Sequence, residues 1–146
     1  MEEYIMTIDE GTTSARAVLF NKDSEIIAIC AKEFAQYYPQ PGWVEQDPKE
    51  IWLTTKEVIN RVVLQAGIDP RQIKAAGITN QRETVVVYDK NTGEPVYNAI
   101  GWADRRTAPY CDELKAAGKE QMFIDKTGLL IDGYFSGTEI KWILDN

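Results

Sequence analysis

Three apolar runs lie within the first 34 residues, and the shortness of the links between them constrains the fold more than any other feature. The runs cover residues 4–9, 15–21 and 25–34 and have the composition of β-strands. Strands that are joined by only a few residues pair side by side and antiparallel. The amino-terminal part of the chain is therefore predicted to form a three-stranded antiparallel meander.

A helix and a further strand follow the meander. Asp47 and Pro48 suit the start of a helix, and Gly67 suits its end. Residues 73–79 then form an apolar run of the kind that lies buried in a parallel sheet. A meander, a crossover helix and further strands predict an α/β domain with a mixed sheet, which is the order of the ribonuclease-H-like core of the actin-like ATPases. The apolar positions at helical spacing are Ile51, Trp52, Val58, Ile59, Val62, Val63 and Ala66.

The second half of the chain is predicted to contain one hairpin and two helices. The hairpin joins residues 84–89 to residues 94–100 through a turn that contains Gly93. One helix covers residues 107–118, and another begins near Ser136 and runs to the end of the sequence. So short a terminal helix is marginal unless it packs. It is either a helix that docks on the sheet or, the reading we prefer, the start of a segment that continues in a longer protein.

Composition and charge argue against several classes of protein. The 146 residues include 23 acidic and 16 basic side chains, no histidine and two cysteines. A net charge of −7 without a basic stripe argues against nucleic-acid binding. Cys30 and Cys111 lie far apart, which fits reduced thiols in a cytoplasmic protein better than a disulfide or a zinc site. The apolar runs are too short for a membrane span, and the acidic start does not resemble a signal peptide.

The segment TIDEGTTSAR, residues 7–16, ends the first predicted strand with a carboxylate, a glycine, three hydroxyls and an arginine. It can be an ordinary hairpin with polar turn residues. It can also be a phosphate-binding turn, because backbone N–H groups and hydroxyls can face phosphate oxygens where a glycine allows close approach. Asp9 would then hold Mg²⁺ through water. The candidate phosphate-binding residues are Gly11, Thr12, Thr13, Ser14 and Arg16.

A second group of polar and aromatic residues follows the strand predicted at residues 73–79. Arg82 and Glu83 are adjacent in TNQRET, where a guanidinium and a carboxylate can bind two hydroxyls of a polyol. The same two residues can instead form a surface ion pair of little worth. Trp102 and Tyr134 can pack on such a ligand and donate to it, or both rings can simply be buried.

These two groups are expected to meet at one edge of the sheet. If the first and fourth predicted strands are neighbours, Asp9 and Arg82 lie at adjacent carboxyl ends, where α/β folds bind their ligands. Arg105 and Arg106 stand at the start of the helix predicted at residues 107–118, where positive charge opposes the helix dipole. The two arginines are therefore expected to contact an anion or to form an interdomain ion pair.

Several blocks of the sequence resemble the FGGY carbohydrate kinases and, within that family, the amino-terminal part of the glycerol kinases. The blocks lie in the family's order along essentially the whole chain, and GITNQRET and YFSGT with the trailing KWILDN are specific to the glycerol kinases. The resemblance implies an actin-like ATPase fold, ATP and Mg²⁺ as cofactors, and glycerol as the phosphoryl acceptor. The blocks are IDEGTTSAR, PGWVEQDPKEIW, GITNQRET, PVYNAIGWADRRTA, KTGLLID and YFSGTEIKWILDN.

The resemblance also implies roles for individual residues. Asp9 would assist Mg²⁺, and Thr12, Thr13, Ser14 and Arg16 would line the nucleotide phosphates. Glycerol hydroxyls would be held by Arg82, Glu83 and Tyr134, with Trp102 packed on the carbon backbone. The general base would be an aspartate beyond residue 146, and the adenine site would belong to a second domain. No catalytic base is therefore expected in residues 1–146, which form an incomplete amino-terminal domain and are predicted to be inactive alone.

Five residues depart from the family pattern. Glu10 stands in place of glutamine and adds a negative charge beside the turn, which is expected to weaken nucleotide binding or to alter metal preference. Changes around the glycerol pocket remove bulk and stiffness, which is expected to affect affinity more than substrate identity. The departures are Glu10 for glutamine, Ala15 for serine, Gly101 for valine, Ala103 for glutamine and Gly133 for proline.

Three functions remain open at this point. The chain can be the amino-terminal portion of a kinase that converts glycerol to glycerol 3-phosphate, with the remainder of the kinase chain as its partner. It can be a module that binds glycerol or a nucleotide phosphate without turnover. It can also be an actin-like core used only for association, although so many motifs in family order disfavour this. Another small polyol or sugar as the acceptor, and assembly into an oligomer, are left open.

Overall fold

The central strand of the main sheet is β1 (Tyr4–Glu10), in a computed structural model that describes residues 2–146. It pairs antiparallel with β2 (Ser14–Phe20) and parallel with β5 (Ile73–Thr79). On the far side of β2 lies β3 (Ile26–Glu33), so the strand order is β3-β2-β1-β5. The predicted meander, the mixed sheet and the neighbouring first and fourth strands are all confirmed.

Helix α1 (Pro48–Ala66) connects β3 to β5 and packs on the sheet. Alternate residues of β1 and β2, among them Met6, Ala15 and Leu19, form the core with Val58 and Val62 of the helix. This alternation arises because successive side chains of a strand point to opposite faces. A short 3₁₀ turn at Pro70–Gln72 leads from the helix into β5.

Two features of this region differ from those predicted from the sequence. Trp52 was expected on the apolar face of α1, but its side chain is 60% exposed and lies beneath Lys56 Nζ, which is 5.5 Å from the ring centroid. The buried stripe of the helix instead runs through Thr54 and Val58. The β5 strand was expected to be buried, but it is an edge strand of the sheet and its residues 74–79 are exposed.

The second half of the chain contains a two-stranded sheet and three helices. The strands β4 (Glu45–Gln46) and β6 (Ala99–Ile100) pair antiparallel. The predicted hairpin is present only as the isolated bridges Val85↔Ile100 and Tyr88↔Pro95, and Ala99 and Ile100 also pair with β4. The helices are α2 (Ala108–Ala116), α3 (Glu120–Thr127) and α4 (Ser136–Asp145). The predictions of α2 and α4 are confirmed, whereas α3 was missed because none of its side chains is buried and its apolar pattern is weak.

These elements belong to two compact units. The first unit consists of Met1–Ala35 and Lys49–Gln81, and the second consists of Gln36–Pro48 and Arg82–Asn146. Both cysteines are buried and free. Within residues 2–146, no helix combines the length and the apolar character that crossing a bilayer requires.

Candidate functional site

The connection between β1 and β2 in the first unit is a tight hairpin. The N–H of Gly11 donates to the carbonyl of Ser14 at 3.0 Å, which closes the turn over Thr12 and Thr13. A Cβ at Gly11 would lie only 3.1 Å from that carbonyl oxygen, so the turn has little room for a side chain there. The carbonyl of Thr13 accepts from the N–H of Phe34, which ties the turn to the end of β3. The segment is therefore a hairpin, and its Gly11 N–H is used within the turn.

Asp9 and Arg16 are paired across this hairpin. They are register partners on β1 and β2, and Arg16 Nη1 is 3.9 Å from Asp9 Oδ2. Their side chains are 44% and 51% exposed, so the ion pair is loose and solvated. On its other side Asp9 is the register partner of Thr79 at the end of β5. An accessible carboxylate next to hydroxyls and a guanidinium fits a hydrated Mg²⁺ ion and a phosphate group in its donor chemistry.

Glu10 contacts α1. Its Oε1 accepts a hydrogen bond from the hydroxyl of Thr55, whereas Oε2 is buried without a partner among the described residues. Burial raises the pKa of Glu10, the bond from Thr55 opposes this shift, and the charge of Asp9 adds to it. A raised pKa lowers the fraction of this carboxyl that is ionised at a given pH. The extra negative charge expected from Glu10 beside the turn is correspondingly reduced.

Glu83 in the second unit is held by the first residue of α4. Its Oε2 accepts from the backbone N–H of Ser136 at 3.2 Å and from the Ser136 hydroxyl at 2.9 Å. The same hydroxyl donates to the Glu83 carbonyl at 3.0 Å. Glu83 has a φ of 69°, in the left-handed region that is unfavourable for a residue with a Cβ. Ser136 therefore fixes both the backbone and the carboxylate of Glu83, while Arg82 next to it is exposed.

Trp102 and Tyr134 lie together in the second unit. Their ring centroids are 5.9 Å apart in an edge arrangement, and Tyr134 also packs against Phe135 at 5.1 Å. The N–H of Trp102 donates to the hydroxyl of Thr84, the residue that follows Glu83. Trp102 is 37% exposed. The structure thus brings Trp102 into contact with Tyr134 and bonds it to the residue next to Glu83.

Two of the unusual glycines stand where the packing leaves little room for a larger side chain. A Cβ at Gly101 would lie 3.3 Å from Val44 Cγ1, and one at Gly133 would lie 3.0 Å from the hydroxyl oxygen of Thr107. These glycines therefore let neighbouring segments approach closely and do not simply remove bulk. Ala15 is fully buried in the core of the first unit. Nothing in the structure explains Ala103.

Arg105 and Arg106 do not have the roles expected from the sequence. Both precede α2, and both bind carboxylates of the second unit itself. Arg105 pairs with Asp132 at 2.9 Å. The Arg106 side chain is completely buried and pairs with Asp104 at 2.8 Å and with Glu45 at 2.9 Å. The sequence did not indicate the pairs of Arg106 with Glu45 and of Ser136 with Glu83, because the partners are 61 and 53 positions apart in the chain.

A cavity of about 440 Å³ lies among α2, α3 and α4 of the second unit. Its walls are largely apolar and include Leu114, Phe123 and Phe135, and Glu83 lies on one side. Trp102 and Tyr134 do not line it. Phe135 lines the cavity and packs against Tyr134, so the cavity adjoins these two rings without being lined by them.

Comparison with known proteins gives a consistent result. The model of the FGGY family of carbohydrate kinases, N-terminal domain, matches residues 4–146. The chain is 60% identical over 146 residues to a glycerol kinase of Thermoanaerobacter pseudethanolicus and 59% identical over 145 residues to one of Chromobacterium violaceum. The two matches extend over 100% and 99% of this chain, respectively, but over only 29% of the length of each relative.

Solved structures show the same fold. Glycerol kinase of Plasmodium falciparum, crystallised with ADP, matches 99% of this chain with a TM-score of 0.91 and 31% identity, over 29% of its own length. Gluconate kinase of Lactobacillus acidophilus matches all of this chain with a TM-score of 0.90 and 25% identity, again over 29% of its own length. The family predicted from the sequence motifs is thereby confirmed: this chain belongs to the FGGY family of carbohydrate kinases, whose N-terminal domain it matches over residues 4–146.

Proposed function

We propose that this chain supplies the glycerol-binding and phosphate-binding residues of an ATP-dependent kinase that produces glycerol 3-phosphate. The observation that carries the proposal is the meeting of Glu83, Trp102 and Tyr134 in a chain whose relatives of about 60% identity are glycerol kinases. A carboxylate, an indole and a phenol together offer an acceptor, an apolar face and a donor. These three functions match the hydroxyls and the C–H edges of a small polyol.

The residues of the first unit would bind the nucleotide phosphates and the metal. Asp9 would hold Mg²⁺ through water, and bound Mg²⁺ would supply positive charge to the transferring phosphoryl group. Arg16 would turn from its loose pair with Asp9 to phosphate oxygens, which bind a guanidinium well. The phosphate-facing hydroxyls would be those of Thr12, Thr13 and Ser14.

The residues of the second unit would bind and orient glycerol. Glu83, already fixed by Ser136, would accept from one hydroxyl, and Arg82 and Tyr134 would donate to the others. Trp102 would pack on the carbon chain. In the reaction, the acceptor hydroxyl oxygen forms a bond to the γ-phosphorus as the bond to the β-phosphate oxygen breaks. The hydroxyl proton would pass to an aspartate beyond residue 146, so we propose that the 146-residue chain alone does not catalyse turnover.

The test is glycerol-dependent turnover of ATP by the complete polypeptide that carries this sequence, beside the 146-residue chain alone. We expect ADP and glycerol 3-phosphate from the complete polypeptide and no product from the chain alone. Turnover by the chain alone would contradict the assignment of the base to a later segment. Binding of glycerol without turnover by the complete polypeptide would favour a non-catalytic binding module.

The acceptor is tested in the same assay with gluconate and xylulose in place of glycerol. A higher kcat/KM for either of these would replace glycerol as the proposed substrate. Glu83→Ala should impair glycerol binding, whereas Glu94→Ala on an exposed turn of the same unit should leave it unchanged. We further propose that the enzyme acts in the cytoplasm, because cysteines remain reduced in that compartment.

A further inference from the structure

The guanidinium of Arg106 is enclosed by aromatic rings in the second unit. It lies 3.8 Å from the ring centroid of Trp43, 4.6 Å from that of Trp142 and 5.8 Å from that of Tyr97. The two indoles also meet each other edge to face at 5.2 Å. A planar cation placed between indole faces is attracted by both rings, and this attraction is stronger where water is excluded.

Two buried carboxylates complete the enclosure. Asp104 accepts from Arg106 Nε at 3.0 Å and from Nη2 at 2.8 Å, and its Oδ2 also accepts from the N–H of Val44 at 2.6 Å. Glu45 accepts from Nη2 at 2.9 Å and from the hydroxyl of Tyr97 at 2.9 Å. The remaining nitrogen, Nη1, is buried without a hydrogen-bond partner among the described residues. Such a group lowers stability relative to an apolar packing, so stability alone gives a poor account of this arginine.

The cluster is joined to the segments that carry three of the four predicted glycerol ligands, Glu83, Trp102 and Tyr134. Asp104 follows Trp102 by two residues, in a turn closed by the bond from the Asp104 N–H to the Gly101 carbonyl. Trp142 belongs to α4, whose first residue, Ser136, holds Glu83. Tyr134 lies two residues before that helix. One guanidinium thus links the turn of Trp102 to the helix that holds Glu83.

We propose that Arg106 is a positioning residue for the polyol site: by clamping the turn at Asp104 to α4 at Trp142, it sets the spacing of Trp102, Tyr134 and Glu83. The inference rests on the proposed function. Lysine cannot replace the arginine in this role, because an ammonium lacks both the planar fork that binds Asp104 and Glu45 and the face that stacks on two indoles. Displacement of a substrate-binding group by about 1 Å can reduce turnover on the order of 100-fold.

The test uses Arg106→Lys and Arg106→Met in the complete polypeptide, with kcat and both KM values measured. In both variants we expect the KM for glycerol to rise by about tenfold or more while the KM for ATP changes by less than about twofold. Arg106→Lys keeps a positive charge beside Asp104 and Glu45, so it keeps the test open if Arg106→Met, which leaves both buried carboxylates without their cation, folds poorly. Arg71→Lys, at an exposed ion pair of the first unit, is the matched control and should change neither KM. An unchanged KM for glycerol in either folded variant would overturn the proposal.

A second measurement does not depend on activity. In the Arg106 variants, hydrogen exchange should accelerate at the backbone amides of Ser136 and Trp102, which donate to Glu83 and Thr84, and stay unchanged in α1. If the parent protein shows no turnover with glycerol, the proposed function fails, and the exchange data still decide whether Arg106 positions these residues. Unchanged exchange at both amides would overturn the positioning role.

Discussion

The two groups of predicted ligands are built in different ways. In the first unit they follow one another along a hairpin, so that Asp9 and Arg16 are already register partners of adjacent strands. In the second unit, Glu83, Trp102 and Tyr134 come from three separate segments and depend on Ser136 and on buried charges for their positions. A local group tolerates change in its surroundings, because its geometry comes from the hairpin. A group that is assembled from distant segments keeps its geometry only while those segments remain packed against each other.

The largest effect should follow removal of a buried charge from the second unit. Asp104→Ala leaves the Arg106 guanidinium short of its main carboxylate, and we expect the free energy of unfolding to fall by about 3–5 kcal/mol. Asp112→Ala, which removes a carboxylate that is 78% exposed, should cost less than about 1 kcal/mol. Urea unfolding followed by tryptophan fluorescence measures both. Equal losses in the two variants would show that the second unit is not held by its buried charges.

A second effect concerns Glu139, which is fully buried on α4 with both carboxylate oxygens unpaired among the described residues. Burial first, and then the charge of Asp104, raise its pKa from 4.5 to about 9. The folded state therefore binds this proton more tightly than the unfolded state, so stability falls as the pH rises from 4.5 to about 9. At neutral pH the loss is on the order of 3 kcal/mol.

Glu139→Gln keeps the shape of the side chain and should remove this pH dependence, which makes the variant the more stable protein above neutral pH. The exposed Glu113→Gln is the matched control, and urea unfolding at several pH values provides the measurement. A parent protein whose unfolding free energy stays constant across that range would contradict the expectation for Glu139.

The third prediction is that variants of the two groups of predicted ligands affect different substrates. Glu83→Gln should lower kcat/KM for glycerol by about 10- to 100-fold, because it removes a charged acceptor, and should change the KM for ATP by less than about twofold. Thr13→Ala should instead raise the KM for ATP and leave that for glycerol unchanged. Steady-state kinetics of the complete polypeptide decide the matter. If both variants affect both substrates equally, the assignment of one ligand to each unit is wrong.

A smaller effect on stability is expected at Gly101, where the absence of a side chain lets Val44 lie close to the backbone. Gly101→Val restores the residue usual in the family, but its Cβ would start 3.3 Å from Val44 Cγ1. We expect this overpacking to lower the free energy of unfolding by about 1–2 kcal/mol. Gly137→Ala is the control, since a Cβ there meets nothing within 4 Å. A valine variant at least as stable as the parent would mean that Val44 moves freely.

The smallest effect should be at Glu10 in the first unit. Its pKa is raised by burial, so its contribution to stability also declines as the pH rises above the usual range of a glutamate. Glu10→Gln should remove this decline, by an amount smaller than at Glu139, because Thr55 already supplies one hydrogen bond. Urea unfolding of parent and variant at two pH values tests this. If Glu10→Gln changed the pH dependence of the unfolding free energy more than Glu139→Gln does, this expectation would be wrong.

Much of the first unit could be predicted from the sequence, and less of the second. The bounds of β1, β2, β3 and α1 follow from apolar runs, turn residues and a proline, all of which act within a few residues. The burial of β5 and of Trp52 was mispredicted, because periodicity indicates an apolar face but not which neighbour covers it. Arg106 was expected to contact an anion or to form an interdomain ion pair, but it pairs with two carboxylates of its own unit, of which only Asp104 lies near it in the chain.

The sequence by itself determined the three-stranded meander, the turn between β1 and β2 and the family, because hydrophobic pattern, turn chemistry and motif order are properties of neighbouring residues. Only the tertiary structure decided that Ser136 fixes Glu83, that Trp102 meets Tyr134 and that Arg106 is buried between two indoles. The physical reason is that these contacts join residues tens of positions apart. Their formation depends on how whole segments pack against each other, and local preference does not encode that packing.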